Sequence, residues 1–142
     1  MKVSDIVTRG LFTIPSDASV LEASKLMVQK NIGLLVVCDV NDKTKLSGVI
    51  SERDIIKSIS LGDKLPAHVD AIFTKNVITV KANSDVAEAA KAMNRHGIRH
   101  VVVVDDRNVP VGVVSMRDLV GERATLNAIL QSNEKEVFVG GD

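Results

Sequence analysis

A seven-residue pattern that occurs twice sets the architecture of this chain. It reads Gly48-Val49-Ile50-Ser51-Glu52-Arg53-Asp54 in the first copy and Gly112-Val113-Val114-Ser115-Met116-Arg117-Asp118 in the second. In both copies an apolar run follows a glycine and ends at a serine, and an aspartate stands three residues beyond that serine. The pattern predicts a junction at which a buried strand leads directly into a helix.

The repetition reaches well beyond this pattern. A shift that places Ile6 on Ile72 also aligns identical residues as far as Asp39 and Asp105, and the turn that follows is two residues shorter in the second copy. Each copy predicts a strand, a helix, two further strands and a second helix. The predicted strands cover residues 11–14, 32–37 and 46–50 in the first copy and 77–80, 98–104 and 111–114 in the second.

The first helix of each copy has recognisable ends. Ser19 or Asp85, followed three residues later by a glutamate, predicts where the helix begins. Asn31 or Gly97, residues that tolerate a left-handed backbone, predicts where it ends. We therefore divide the chain into repeat 1 (1–61), a linker with glycine and proline (62–68), repeat 2 (69–130) and a C-terminal tail (131–142) that is either disordered or pairs with a neighbour.

Composition narrows the range of functions. Apolar residues make up 45% of the sequence and their longest runs are too short to cross a bilayer, so we expect a globular, cytoplasmic protein. The 18 basic and 18 acidic side chains cancel, and Trp and Tyr are absent, which disfavours nucleic-acid binding. The single cysteine, Cys38, lies in an apolar run, which is typical of packing. No histidine has metal-ligand spacing, so we expect no metal site.

Two interpretations of the repeated pattern remain open at this point. A hydroxyl, a guanidinium and the N–H groups of a helix start donate to phosphate oxygens, and an aspartate accepts from a vicinal diol, so the pattern suits a ribose phosphate. Alternatively, Ser51 and Ser115 cap helices, and Asp54 and Asp118 are first-turn acids favoured by the helix dipole. The recurrence of glycine and arginine in fixed places favours a binding site.

Taken in order, these patterns resemble a tandem pair of cystathionine-β-synthase (CBS) domains, a Bateman module, in its stand-alone form. The resemblance covers roughly residues 3–120 and rests on the segments 31–37 and 97–103 and on the two seven-residue patterns. It implies an α/β (α+β) fold in which two β-α-β-β-α repeats pack sheet to sheet with pseudo-two-fold symmetry. It also implies clefts that bind AMP, ADP or ATP, in some members S-adenosylmethionine or NADH, and a flat homodimer.

The resemblance further implies that each cleft is shared by both repeats. One cleft would combine Ser51, Arg53 and Asp54 with Thr74, Val77, Ile78, Ile98, Arg99 and His100. The other would combine Ser115, Arg117 and Asp118 with Thr8, Phe12, Thr13, Ile32, Gly33 and Leu34. The aspartates would hold ribose, the serines and arginines would face phosphates, and adenine would lie between apolar side chains.

The two clefts are not equivalent in charge. Arg99 and His100 stand where the first repeat has Gly33 and Leu34, so we expect the Asp54 cleft to bind multiply phosphorylated nucleotides more tightly. Alternatively, the pair serves a strand edge or a dimer surface.

The predicted function is that of a regulatory nucleotide sensor, not an enzyme, that transmits occupancy to an unidentified partner protein. A structural alternative is a CBS pair that acts as a dimerisation adapter with empty clefts. Catalysis is disfavoured because the sequence has no Ser-His-Asp set, no P-loop and no obvious general base.

Overall fold

The computed structural model describes residues 1–7, 10–62, 68–121 and 131, and these form two copies of one arrangement. The first copy contains β1 (Thr13–Pro15), α1 (Val20–Lys30), β2 (Leu34–Cys38), β3 (Leu46–Ser51) and α2 (Glu52–Ser60). The second contains β4 (Thr79–Lys81), α3 (Val86–His96), β5 (His100–Val104) and β6 (Pro110–Ser115), and residues 116–121 after it are helical. Short 3-10 turns at Val3–Asp5 and Val69–Ala71 precede the two copies.

Both sheets have the same topology. The strand orders are β1-β2-β3 and β4-β5-β6, and in each sheet the first pair is parallel and the second antiparallel. The predicted β-α-β-β-α unit and fold class are therefore confirmed. Strands β1 and β4 begin two residues later than predicted. The residue before each strand, Phe12 or Ile78, contributes only its carbonyl group, which accepts a hydrogen bond from the neighbouring strand.

Helices α1 and α3 begin and end where their cap residues predict. Ser19 Oγ accepts a hydrogen bond from the Glu22 N–H at 2.9 Å, and the Asp85 carboxylate accepts one from the N–H two residues later at 2.9 Å. Asn31 and Gly97 then end the helices with φ angles of 52° and 62°. Both residues tolerate this left-handed conformation, which closes the helix ends.

Strand β2 contributes to two cores at once. Leu35 and Val37 pack with α1 inside the first copy, whereas the alternating Val36 and Cys38 pack against β5 of the second sheet. All four are at most 2% exposed, as expected for a strand covered on both faces. Burial raises the pKa of the Cys38 thiol, and the charge of Asp42 adds to this, which agrees with a packing role. The predicted sheet-to-sheet packing is confirmed.

The segment that precedes each copy packs against the other copy. Val3 is fully buried in the core beneath β5, and Val69 is fully buried in the core beneath β2. The Val3 N–H donates to the Ser84 carbonyl at 2.8 Å, and the Val69 N–H donates to the Ala18 carbonyl at 2.9 Å. The two hydrophobic cores are thus completed by an exchange of N-terminal segments. Linker residues 63–67 and tail residues 132–142 lie outside the described part of the chain.

Candidate functional site

Each seven-residue pattern forms the predicted strand-to-helix junction. Strand β3 ends at Ser51, where Ser51 Oγ accepts a hydrogen bond from the Asp54 N–H at 3.1 Å. Asp54 Oδ2 in turn accepts one from the Ser51 N–H at 2.9 Å. Ser115 and Asp118 repeat both bonds, at 3.2 and 2.8 Å. Both junctions are therefore complete capping boxes.

The capping box is compatible with ligand binding. A carboxylate offers about four acceptor positions on its two oxygens, and each box uses only Oδ2. Within the described chain, no hydrogen bond reaches Oδ1 of Asp54 or of Asp118, and both side chains are partly buried. Because the box fixes the carboxylate in one orientation, less conformational freedom is lost when Oδ1 accepts from a ligand.

Arg53 and Arg117 stand exposed in the first turns of the helices that follow the two junctions. Among the residues that the structure describes, neither arginine forms an ion pair. Their guanidinium groups are therefore available to an anion, and the planar guanidinium fork matches phosphate geometry.

The glycine of each pattern allows the exchanged segment to approach. A Cβ at Gly48 would lie 2.2 Å from the Phe73 ring and 2.4 Å from the Thr74 carbonyl oxygen. Next to it, the Val49 N–H donates to the Thr74 carbonyl at 3.0 Å, and the Thr74 N–H donates to the Val49 carbonyl at 2.8 Å. The structure thus brings Thr74 close to the Ser51 junction, which a shared cleft requires.

The second repeat has the equivalent close approach. A Cβ at Gly112 would lie 2.5 Å from a methyl group of Val7. Thr8, which corresponds to Thr74, lies outside the described residues. The segment before β1 therefore approaches β6 as the segment before β4 approaches β3.

His100 lies at the junction of its own repeat. It is opposite Ser115 in the β5–β6 pairing, and the adjacent Arg99 carbonyl accepts a hydrogen bond from the first N–H of the following helix at 2.8 Å. The sequence analysis assigned Arg99 and His100 to the Asp54 cleft. In the strand pairing they lie beside Ser115 of their own repeat, because the first residue of one hairpin strand faces the last residue of the other. Their assignment to the Asp54 cleft stays a prediction.

Gly33 and Leu34 occupy the equivalent place in the first repeat. Leu34 is opposite Ser51, and the Gly33 carbonyl accepts from the Glu52 N–H at 2.9 Å. Their assignment to the Asp118 cleft likewise stays a prediction. The Glu52 carboxylate folds back over this turn, 3.1 Å from where a Cβ on Gly33 would be. Glu52 was not predicted, since an acid in a first helical turn has no distinctive sequence signal.

The pKa of the His100 imidazole is lowered from its ordinary value. Partial burial is the main cause, and the positive charge of Arg99 acts in the same direction. The negative charges of Asp118 and Glu52 act in the opposite direction without cancelling the effect of burial. His100 is therefore within electrostatic range of acids from both repeats, and part of its surface still reaches solvent.

The other predicted contacts also take part in core packing. They are Phe12 and Ile32 in the first repeat, Ile78 and Ile98 in the second, and Val77 between the sheets. All five are only partly buried, and Thr13 begins β1 opposite Val36. Their remaining surface is what a ligand could contact.

The described residues contain neither a metal-binding cluster nor a membrane-spanning helix. No group of three or more His, Cys, Asp or Glu side chains there could hold a metal ion. No helix within those residues is both long and apolar enough to span a bilayer.

Known proteins resemble this chain in sequence and in structure. The sequence profile of the CBS domain matches residues 3–61 and 69–124. A CBS domain protein of Pyrobaculum aerophilum, solved in complex with AMP, superimposes with a TM-score of 0.82 at 33% identity, over 92% of this chain and 99% of that one. A CBS domain pair solved with 5′-methylthioadenosine and S-adenosyl-L-methionine gives a TM-score of 0.75 at 33% identity, over 84% of this chain and 96% of that one.

One curated relative is a much longer protein. L-aspartate semialdehyde sulfurtransferase of Methanocaldococcus jannaschii is 34% identical over 82% of this chain. The chain spans 22% of the length of that enzyme. The matched part is therefore a small portion of the larger protein.

Proposed function

Because the chain belongs to the CBS domain family, we propose that it is a regulatory module that binds adenosine-containing ligands in clefts between its two repeats. The observation that carries this proposal is the pair of partly buried aspartates, each held by a capping box with Oδ1 left for a ligand. The AMP of the Pyrobaculum protein, and the two adenosine ligands of the other solved pair, support this ligand class.

Each group at a junction then has one task. Oδ1 of Asp54 or Asp118 accepts from the ribose hydroxyls. Ser51 Oγ is an acceptor in its box, so its own O–H can still donate to a phosphate, and the same holds for Ser115. Arg53 and Arg117 supply positive charge to the phosphates, and adenine lies against Thr74, Val77, Ile78 and Ile98 in one cleft and against Thr8, Phe12, Thr13 and Ile32 in the other.

His100 makes the two clefts unequal in how they can hold a phosphate. Its imidazole can donate to an anion, whereas Leu34, at the equivalent position of the first repeat, is apolar. With Arg99 and His100 assigned to the Asp54 cleft, we expect that cleft to hold a multiply phosphorylated nucleotide more tightly. Arg99 and Gly33 contribute their backbone carbonyls to the turns and leave the side-chain difference intact.

Ligand occupancy would act on a partner through the relative placement of the repeats. A ligand that touches both repeats favours the arrangement to which it binds better. Helix α2 carries Ile56 and Ile59 with 63% and 57% of their surface exposed, which provides an apolar face for a second copy or for a regulated protein. We place this homodimeric module in the cytoplasm.

Thermal unfolding with AMP, ADP, ATP, S-adenosylmethionine, NADH and GTP tests the proposal. A ligand at about 100 times its dissociation constant stabilises by roughly 2.7 kcal/mol, which corresponds to a rise of roughly 5–10 °C at this length. We expect a rise with adenosine ligands and none with GTP. The Asp54→Ala, Asp118→Ala double variant is the control, and an equal rise in that variant would place the ligand elsewhere.

The proposal assigns no catalytic role to the chain. Incubation with a molar excess of ATP, followed by chromatography of the nucleotides, should return ATP unchanged. Sustained turnover would contradict this part of the proposal.

A dimerisation adapter with empty clefts is the second candidate, and the exposed apolar face of α2 favours it. Sedimentation measures whether the chain dimerises, and the thermal assay measures whether it binds adenosine ligands. A stable dimer without any ligand-induced rise in melting temperature would favour the adapter.

A further inference from the structure

A cavity of about 420 Å³ lies between two turns, one from each repeat. The β2–β3 turn contributes Lys45 and Leu46 to its wall, and the β5–β6 turn contributes Arg107 and Val109. Thr79, at the start of β4, also lines the cavity, together with Val104 and the polar turn residues Asp42, Thr44 and Asn108. None of its lining residues belongs to the predicted nucleotide contacts, and its volume lies in the range of roughly 300–1,000 Å³ that small-molecule sites occupy.

The base of this cavity is apolar. Leu46 and Val109 are partly buried, and Val104 is 2% exposed and belongs to the cluster between the two sheets. A compact apolar group placed here would cover the exposed parts of Leu46 and Val109, which favours binding by about 25 cal/mol for each Å² of apolar surface removed from water.

The acidic groups of the two turns are already engaged. Asp42 Oδ1 accepts from the Thr44 N–H at 2.9 Å and from the Thr44 hydroxyl at 2.6 Å. Asp105 Oδ1 accepts from the Arg107 and Val109 N–H groups at 2.8 and 2.9 Å. These hydrogen bonds are the main reason that the pKa values of both carboxyl groups are lowered, so both remain charged and fixed within their turns.

The cations of the cavity wall are not engaged in this way. Lys81, just outside the wall, donates to the Asp105 carbonyl at 3.2 Å and to Asn108 Oδ1 at 2.7 Å. By contrast, within the described residues neither the Lys45 ammonium nor the Arg107 guanidinium has a side-chain hydrogen bond or ion pair. Asp42 attracts Lys45 and Asp105 attracts Arg107 at longer range, but neither cation is held in an ion pair, so both can turn towards an anion.

We propose that this cavity binds a small organic anion with one anionic group and a compact apolar body. The anionic group would lie between Lys45 and Arg107, where the guanidinium fork favours a carboxylate or phosphate. The apolar body would rest on Leu46, Val104 and Val109. Because the two repeats supply one turn each, occupancy of the cavity depends on their relative placement. This proposal stands apart from nucleotide binding at the capping-box junctions.

Amide NMR titration of the full chain tests the proposal with three probes. Phenyl phosphate carries both required features, inorganic phosphate lacks the apolar body, and benzyl alcohol lacks the charge. We expect saturable shifts with phenyl phosphate at residues 44–46, 79 and 104–109. We expect at least a tenfold weaker response to each of the other two probes.

Two double variants make the test specific. Lys45→Ala, Arg107→Ala should weaken phenyl phosphate at least tenfold. Lys43→Ala, Arg95→Ala removes the same total charge outside the cavity wall and should leave the affinity within twofold. All four residues are exposed, and the amide spectrum reports directly that each variant is folded.

Any of four results would overturn the proposal. They are the absence of saturable shifts, shifts centred on the Ser51 or Ser115 junction, equal affinity for inorganic and phenyl phosphate, and equal weakening in both double variants. The second of these would leave the proposed nucleotide function intact, so the two proposals fail separately.

Discussion

The junctions after β3 and β6 share their backbone hydrogen bonds but differ in the side chain that faces them. Both have a capping box, a closely approached glycine and a hairpin register that sets one residue opposite the serine. That residue is Leu34 in the first repeat and His100 in the second. The fold thus requires the serine, aspartate and glycine, whereas the residue opposite the serine can be apolar or ionisable.

Substitution of Gly48 and of Gly112 should give the largest difference in the free energy of unfolding between the repeats. At Gly48 an added Cβ meets a backbone carbonyl oxygen, whereas at Gly112 it meets only the Val7 side chain. A side chain can shift more easily than backbone, so we expect Gly48→Ala to cost about 3 kcal/mol and Gly112→Ala about 1–2 kcal/mol. Urea unfolding measures both, and equal losses would contradict the different contacts.

The aspartates should behave alike if both clefts bind. Asp54→Ala and Asp118→Ala should each remove one binding event, with an affinity loss of about 1.5–3 kcal/mol, because a hydrogen bond to a charged acceptor is lost. Each should also lose about 1 kcal/mol of stability with the cap. Isothermal titration with AMP counts the binding events.

Asp85→Ala is the matched control for the aspartates. It also removes a helix cap, that of α3, but it lies outside both junctions. We expect it to lower stability without changing the number of binding events. Two normal events in the Asp54→Ala, Asp118→Ala double variant would show that ribose binds elsewhere.

Substitutions at the C-terminal ends of α1 and α3 should give a smaller difference in stability. Gly97 and Asn31 both have positive φ, but only Asn31 already carries a Cβ in this conformation. Gly97→Ala should therefore cost about 1–2 kcal/mol, and Asn31→Ala less than about 1 kcal/mol. Thermal unfolding of both variants checks this order, and a larger loss at Asn31 would reverse it.

The smallest expected effect is on how the free energy of unfolding depends on pH. Because the pKa of His100 is lowered in the folded protein, its imidazole binds a proton more readily in the unfolded chain. The contribution of His100 to stability is therefore present above the ordinary pKa of 6.5 and is lost as the pH falls through the pKa of the folded protein. His100→Leu should lose less stability than the parent between about pH 7.5 and 5.5. Urea unfolding across this range measures the difference.

Leu34→His is the reciprocal variant. It places an imidazole opposite Ser51, near the Glu52 carboxylate, and should give the first junction its own pH dependence. An unchanged pH profile in both variants would mean that the facing position does not control protonation at either junction.

The topology was predictable because the sequence repeats its signals. The Ser51 and Ser115 patterns mark strand-to-helix junctions, and Ser19 and Gly97 mark helix ends, through local hydrogen bonds that depend on neighbours in the sequence. Such local chemistry is specified by a few adjacent residues. The burial of β2 on both faces likewise agrees with its continuous apolar run.

The register of the two hairpins was less predictable than the topology. Both hairpins have an irregularity near the end of their first strand, after Val37 in β2 and after Val103 in β5. The sequence did not show that Leu34 and His100 would face their own serines. The sequence likewise shows that Val3 and Val69 are apolar, but it does not show in which of the two cores each one is buried.

The exchange of N-terminal segments bears on how such a chain could arise. A single repeat whose first turn completes a copy of itself forms the same two-sheet body as a symmetric dimer, whose population depends on concentration. Joining two repeats in one chain replaces that concentration by the fixed, effective concentration of a tether. Once tethered, the two halves no longer have to be identical, and one can keep leucine where the other acquires histidine.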